Sequence, residues 1–131
     1  MKKAILYAGG ILNILGAAGH MFFWKLFNWS EELPKLSIIN QGILQVANII
    51  LIFIILYFAV MSFIIAKHEK IDLYAKSIII CMCGFYSIRL FLGYPMFGYH
   101  YRELLIWIFC IILIVGYLSI LFINNKRVSE N

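Results

Sequence analysis

The sequence predicts an all-α fold: an integral membrane antiparallel four-helix bundle with both termini in the cytoplasm. Three observations predict it. Hydrophobic residues fill 64% of the 131 positions and charged residues only 13%, against about 25% charged in ordinary soluble domains. So small a globule has too much surface to hide that many apolar side chains, whereas lipid as solvent removes the difficulty. The apolar residues also fall into four runs, 4–27, 43–66, 74–93 and 104–123, each close to the roughly 20 residues that cross about 30 Å of hydrocarbon. Finally, the connections between runs are short, which favours antiparallel neighbours. No run alternates with a period of two as a transmembrane strand would, and a helix satisfies its backbone polar groups internally. A single domain over 1–131 is expected.

Taken in order, the first run follows Met1-Lys2-Lys3 and reaches Gly16-Ala17-Ala18-Gly19, a pattern similar to a secretory signal with a small-residue cleavage site. The apolar stretch continues through Met21-Phe22-Phe23-Trp24, so the run is expected to stay as a span. Ser30, Glu31, Glu32 and Pro34 then mark a break with a short interfacial turn. The second run ends at a polar link, 67–73 (KHEKIDL). The third contains SIIICMCGFYSIRLFLG (77–93) and is expected to end at Pro95. A tyrosine-rich link, 94–103, leads to the fourth run, and the polar tail 124–131 is expected to fray.

Orientation follows from the basic residues near the span ends. Lys2, Lys3, Lys67, Lys70, Lys76, Lys126 and Arg127 fall on one side, and Lys25, Lys35 and Arg102 on the other. The positive-inside rule places the richer side, and with it both termini, in the cytoplasm. Trp24, Trp29, Tyr94, Tyr99, Tyr101 and Trp107 then form an aromatic belt at the outer interface.

The net charge of +5 is accounted for by these flanking residues, which touch anionic headgroups; no basic patch interleaved with polar readers points to nucleic acid. Cys81, Cys83 and Cys110 are a poor disulfide framework. Cys81 and Cys83 point about 200° apart on a helix, and all three read as small buried hydrophobes. There is no metalloprotease, nucleophile-elbow or phosphate-loop motif, and no residue is assigned a catalytic role or a metal.

Arg89 is the residue that calls for explanation, because a guanidinium inside an apolar span costs from a few to more than ten kcal/mol. The topology places His20, Gln45, Asn48 and Arg89 in the outer half of the bilayer. Arg89 lies about 6 Å below its span end and His20 about 10 Å below its own. Gly9, Asn13, Gly16, Ala17 and His20 share one helical stripe, with small residues that allow close approach. If these stripes face inward, His20, Trp24, Gln45, Asn48, Tyr86 and Arg89 line an outward-facing polar pocket for a small amphipathic or anionic ligand such as a lipid, a quinone or an isoprenoid. Plainer readings stand beside it. The amides are interhelical glue, His20 bonds a backbone carbonyl, Arg89 snorkels to headgroups, and Glu103 is solvated rather than paired with Arg89 or Arg102. His68 and His100 read as surface histidines. Other functions kept open are a structural subunit of a larger membrane complex, a homo-oligomeric anion channel lined by Arg89, and haem ligation by His20, which needs a second histidine from another copy.

The stretches LGAAGHMFFW (15–24) and NQGILQVAN (40–48), with a basic link before the third run, give the chain a layout that resembles the DoxX-like small bacterial four-helix membrane proteins. That resemblance covers most of the chain at the level of architecture and implies a bacterial inner-membrane location. Members of that group often carry an acidic residue where Gln45 stands, and this chain departs from them there. No catalytic residue is carried over.

Overall fold

The computed structural model describes residues 1–68, 70–99 and 101–129, with backbone only from 124 onward. His100, the side chains of Lys126 and Arg127, and residues 130–131 lie outside the described residues. Everything described is helix, turn or irregular, without a strand. The elements are α1 (Lys2–Met21), α2 (Phe23–Leu26), α3 (Trp29–Glu32), a 3-10 turn (Leu33–Lys35), α4 (Ile38–Lys67), α5 (Leu73–Phe97) and α6 (Tyr101–Ser129). Four of them, α1, α4, α5 and α6, are long and apolar enough to cross a membrane.

The helix ends follow local chemistry. The Asp72 carboxylate caps α5 by accepting from the Ala75 N–H at 2.8 Å, satisfying one of the donors that a helix start leaves open. Pro95 does not end α5 as expected; the helix runs through it to Phe97 and stops at Gly98, whose φ of 70° suits a residue without a Cβ. The Gly98 N–H closes the last turn on the Tyr94 carbonyl at 2.9 Å. α6 continues to Ser129, beyond the expected end at 123. The first apolar run is interrupted. At Phe22 the N–H bonds to the Gly19 carbonyl at 3.1 Å as well as to Ala18, a tightening of the last turn, so α1 ends at Met21. The break expected around Ser30 and Pro34 takes the form of α2, α3 and the 3-10 turn, with Asn28 in the left-handed region at φ 49°.

The chain divides into two compact units, residues 10–60 and residues 1–9 with 61–131, whose boundaries fall within α1 and α4. In the second unit α5 packs on α6. The buried residues of α5, Ile79, Met82, Cys83, Tyr86 and Gly93, and those of α6, Glu103, Cys110, Leu113, Tyr117 and Ile120, recur mostly at spacings of three, four and seven. That is the periodicity of a seam between two helices crossing at a shallow angle. Ile79, Tyr86 and Gly93 step by sevens on one helix, and Glu103, Cys110 and Tyr117 on the other. Cys83 and Cys110 are buried as expected; Cys81 is exposed. Outside the seam the surface is apolar: Phe91 on α5 is 81% exposed and Phe53 on α4 73%.

A buried polar contact completes this unit. The hydroxyls of Ser62 on α4 and Tyr117 on α6 hydrogen-bond at 2.7 Å, and both residues are fully buried. The Tyr117 hydroxyl rests against Gly9 of α1, where an added Cβ would lie 2.7 Å from the oxygen and 2.9 Å from the ring. The small residue of the predicted stripe thus admits a specific phenol.

Gly9→Ala is expected to destabilise the protein by about 1–3 kcal/mol, the range for overpacking a filled site. Gly19→Ala, where a Cβ meets nothing within 4 Å, should instead be neutral or raise stability by up to about 1 kcal/mol through helix propensity. Thermal denaturation of both variants in the same detergent measures the contrast.

Candidate functional site

Two helical repeats build the site around Arg89. Arg89 and Gly93 lie four residues apart on α5, and Glu103 and Trp107 four apart on α6, so each pair shares a face. Where the two faces meet, Arg89 Nη1 donates to Glu103 Oε1 at 2.6 Å and Nη2 to Oε2 at 3.0 Å. This two-pronged geometry is the strongest form of the pair. The Glu103 side chain is 8% exposed and that of Arg89 30%, so the carboxylate is enclosed and the guanidinium has one open edge. The Arg89 plane also sits over the Phe97 ring at 5.0 Å, a favourable cation–π contact. Glu103 stands in the first turn of α6, where the helix dipole favours a negative charge.

Gly93 makes this arrangement possible. A Cβ there would fall 2.5 Å from Glu103 Oε1, 2.7 Å from Arg89 Nη1 and 2.8 Å from Trp107 Nε1. The ion pair and the indole therefore converge on the bare Cα of one glycine. Two N–H groups of the guanidinium are used by Glu103, which leaves three of its five donors without a partner among the described residues. The Trp107 indole N–H is buried and also has no acceptor among them. Burying a donor unpaired costs about 1–3 kcal/mol.

These contacts correct two expectations. Arg89 has an acidic partner at its own level, so it is not an unpaired cation seeking an anion. Glu103 is buried and bound to Arg89 rather than solvated. Arg102 instead donates from Nε to the Tyr101 hydroxyl at 3.1 Å. Trp107, which the sequence also assigns to the interfacial belt, lies beside the ion pair.

The remaining candidates divide between the two units. Tyr86 lies in the same unit as Arg89, 3% exposed, its ring edge-on to Phe109 at 6.3 Å. His20, Trp24, Gln45 and Asn48 belong to the other unit, where His20 and Asn48 come together. Asn48 Nδ2 donates to the His20 carbonyl at 3.1 Å, which turns its Oδ1 toward His20 Nδ1 at 2.9 Å. Since an amide oxygen only accepts, Nδ1 is the donor in this contact. The His20 ring stacks on Phe23 at 4.3 Å. With α1 ending at Met21, His20 occupies its last turn rather than a position deep inside a longer span. The Gln45 amide donates back to the Gln41 carbonyl of its own helix at 3.3 Å, and Trp24 packs edge-on against Trp29 at 4.8 Å.

The partners that the residue reading missed were Gly93, Phe97 and the buried setting of Glu103. The four-residue spacing of Arg89 with Gly93 and of Glu103 with Trp107 carried the signal. Compared with known family models, curated proteins and solved structures, the chain matches none.

Removing either charge strands the other beside the seam. Arg89→Met and Glu103→Met are each expected to cost about 1–3 kcal/mol, below the 3–5 kcal/mol of a fully buried pair because Arg89 keeps an open edge. The double variant should lose less than the sum of the two. A double-mutant cycle from thermal denaturation gives the coupling directly; additive losses would mean that the pair carries no interaction.

Proposed function

We propose that the chain is a small integral membrane protein, both termini cytoplasmic, that binds the polar end of an amphipathic molecule beside Arg89, Glu103 and Trp107. The observation that carries this reading is the buried indole N–H of Trp107 without an acceptor, next to a guanidinium with N–H groups to spare. An indole donor beside a guanidinium with one open edge suits an acceptor oxygen arriving at that edge. Because Glu103 already balances the Arg89 charge, the oxygen preferred here is that of a neutral carbonyl or hydroxyl rather than an anion. A quinone, an isoprenoid alcohol or a lipid ester supplies such an oxygen on an apolar body, and the exposed apolar faces of the four long helices support delivery from lipid.

The membrane placement rests on those faces and on the bias of basic residues, which puts the α5–α6 link on the outer side. The location proposed is the cytoplasmic membrane of a bacterium. His20 and Asn48, tied to each other, serve in this reading to join α1 to α4.

One observation favours a second reading. An ion pair satisfied within the chain leaves Arg89 with no charge to offer, as befits a structural subunit whose lipid-exposed faces meet partner helices or further copies of itself in a larger complex.

Native mass spectrometry of protein extracted directly from membranes separates the two. Ligand binding predicts a retained small molecule that is reduced at least about fivefold in Trp107→Phe, matching the loss of one hydrogen bond of about 1 kcal/mol. The structural reading predicts the same spectrum for both proteins, and that result would remove the site. Labelling of an appended N-terminal tag in sealed right-side-out vesicles should succeed only after they are permeabilised.

A further inference from the structure

At the opposite end of α5 from Arg89 lies a groove of about 130 Å³ between the end of α4 and the start of α5. Its floor is hydrocarbon, with Ile64 and Ile65 from α4 and Ile78 from α5. Its mouth is polar, formed by His68, Lys70 and Tyr74. All of these belong to one unit. The charge at the mouth is lopsided. Lys2 reaches it from α1, its Nζ donating to the His68 carbonyl at 2.7 Å, and Lys67 and Lys76 flank it in sequence, as does one acid, Glu69. Asp72 is the acid lining the groove among the described residues, and its Oδ1 is engaged by the Ala75 N–H of the helix cap.

From this geometry we infer that the groove is a binding site for an anionic phospholipid, with the phosphodiester held at Lys70 and Tyr74 and an acyl chain laid along Ile64, Ile65 and Ile78. The pairing of an apolar slot with a cationic rim fits an acidic lipid in two ways at once. A zwitterionic lipid fills the slot equally well but gains less from the rim. A free anion gains from the rim and nothing from the slot. Basic residues beside a span attract anionic headgroups in any case; what the groove adds is a place where one of those lysines counts more than its neighbours.

The inference rests on the membrane placement proposed above, and its test keeps the two apart. The purified chain is mixed with equal amounts of phosphatidylglycerol and phosphatidylcholine in detergent, and the bound lipids are counted by native mass spectrometry. Phosphatidylglycerol should exceed phosphatidylcholine by at least about fivefold, the contribution of one near-surface lysine. Lys70→Ala should abolish the excess, Lys3→Ala should leave most of it, and added inorganic phosphate should not displace the lipid. Ile64→Trp, which fills the slot without altering charge, should abolish it as well. Equal losses in Lys70→Ala and Lys3→Ala would show diffuse surface attraction and overturn the site, even if Ile64→Trp does not fold. Flotation with pure phosphatidylcholine vesicles reports membrane insertion separately. A chain that floats but shows no lipid preference defeats this inference alone, and a chain that does not float defeats the membrane placement.

Discussion

The Arg89–Glu103 pair is the constraint around which the α5–α6 seam is arranged. A guanidinium among apolar helices is tolerated only when its charge is met where it stands, and Glu103 meets it with both oxygens. The geometry demands a particular alignment of two helices. Gly93 must lie under the pair and Trp107 beside it, and the steps of seven that place Gly93 and Glu103 then carry Tyr86 and Cys110, and after them Ile79 and Tyr117, into the interior. A shift of one residue along either helix would swing the carboxylate about 100° off the seam. An apolar pair of the same volume would stabilise as well or better, since desolvating two ions offsets much of their attraction. What the ions add is register, because leucines and isoleucines slide past one another at little cost whereas a stranded charge does not.

The same reasoning accounts for what could be read from residues alone. Four helices and their approximate limits follow from composition and run length, since apolar runs of this length leave few alternatives. The Gly9 stripe was visible because small residues at helical spacing on one face mark close approach. The partner of Arg89 was not, because Glu103 lies just past the tyrosine-rich link, where a carboxylate usually meets water. Pairing with Arg89 and pairing with Arg102 were equally open from the sequence, and the solvated reading stood ahead of both. Its burial is a tertiary fact, set by how α6 leans on α5. The extension of α5 through Pro95 has a similar origin. A proline removes one N–H bond and strains one turn, and a final turn closed by Gly98 on the Tyr94 carbonyl absorbs that loss. The expected grouping of His20, Gln45 and Asn48 came down to His20 with Asn48, because a glutamine side chain is long enough to satisfy its amide on its own helix, whereas the shorter asparagine has to look across.

The polar side chains within the long helices show a common pattern. Asn48 spends its amide on His20, Ser62 and Tyr117 join hydroxyls, and Arg89 and Glu103 neutralise each other. Among packed apolar side chains a buried polar group has no water to fall back on, so contacts closed inside the chain are the expected outcome for groups whose task is to hold helices together. Trp107 breaks the pattern: its indole nitrogen is the buried side-chain nitrogen or oxygen left without a partner among the described residues. The neighbouring guanidinium is not a substitute, since it too can only donate. Arg89 and Trp107 are both donors, and the acceptor beside them, the Glu103 carboxylate, is held by the guanidinium. That asymmetry, rather than the presence of a charge, is what the binding proposed at this end of the α5–α6 seam rests on.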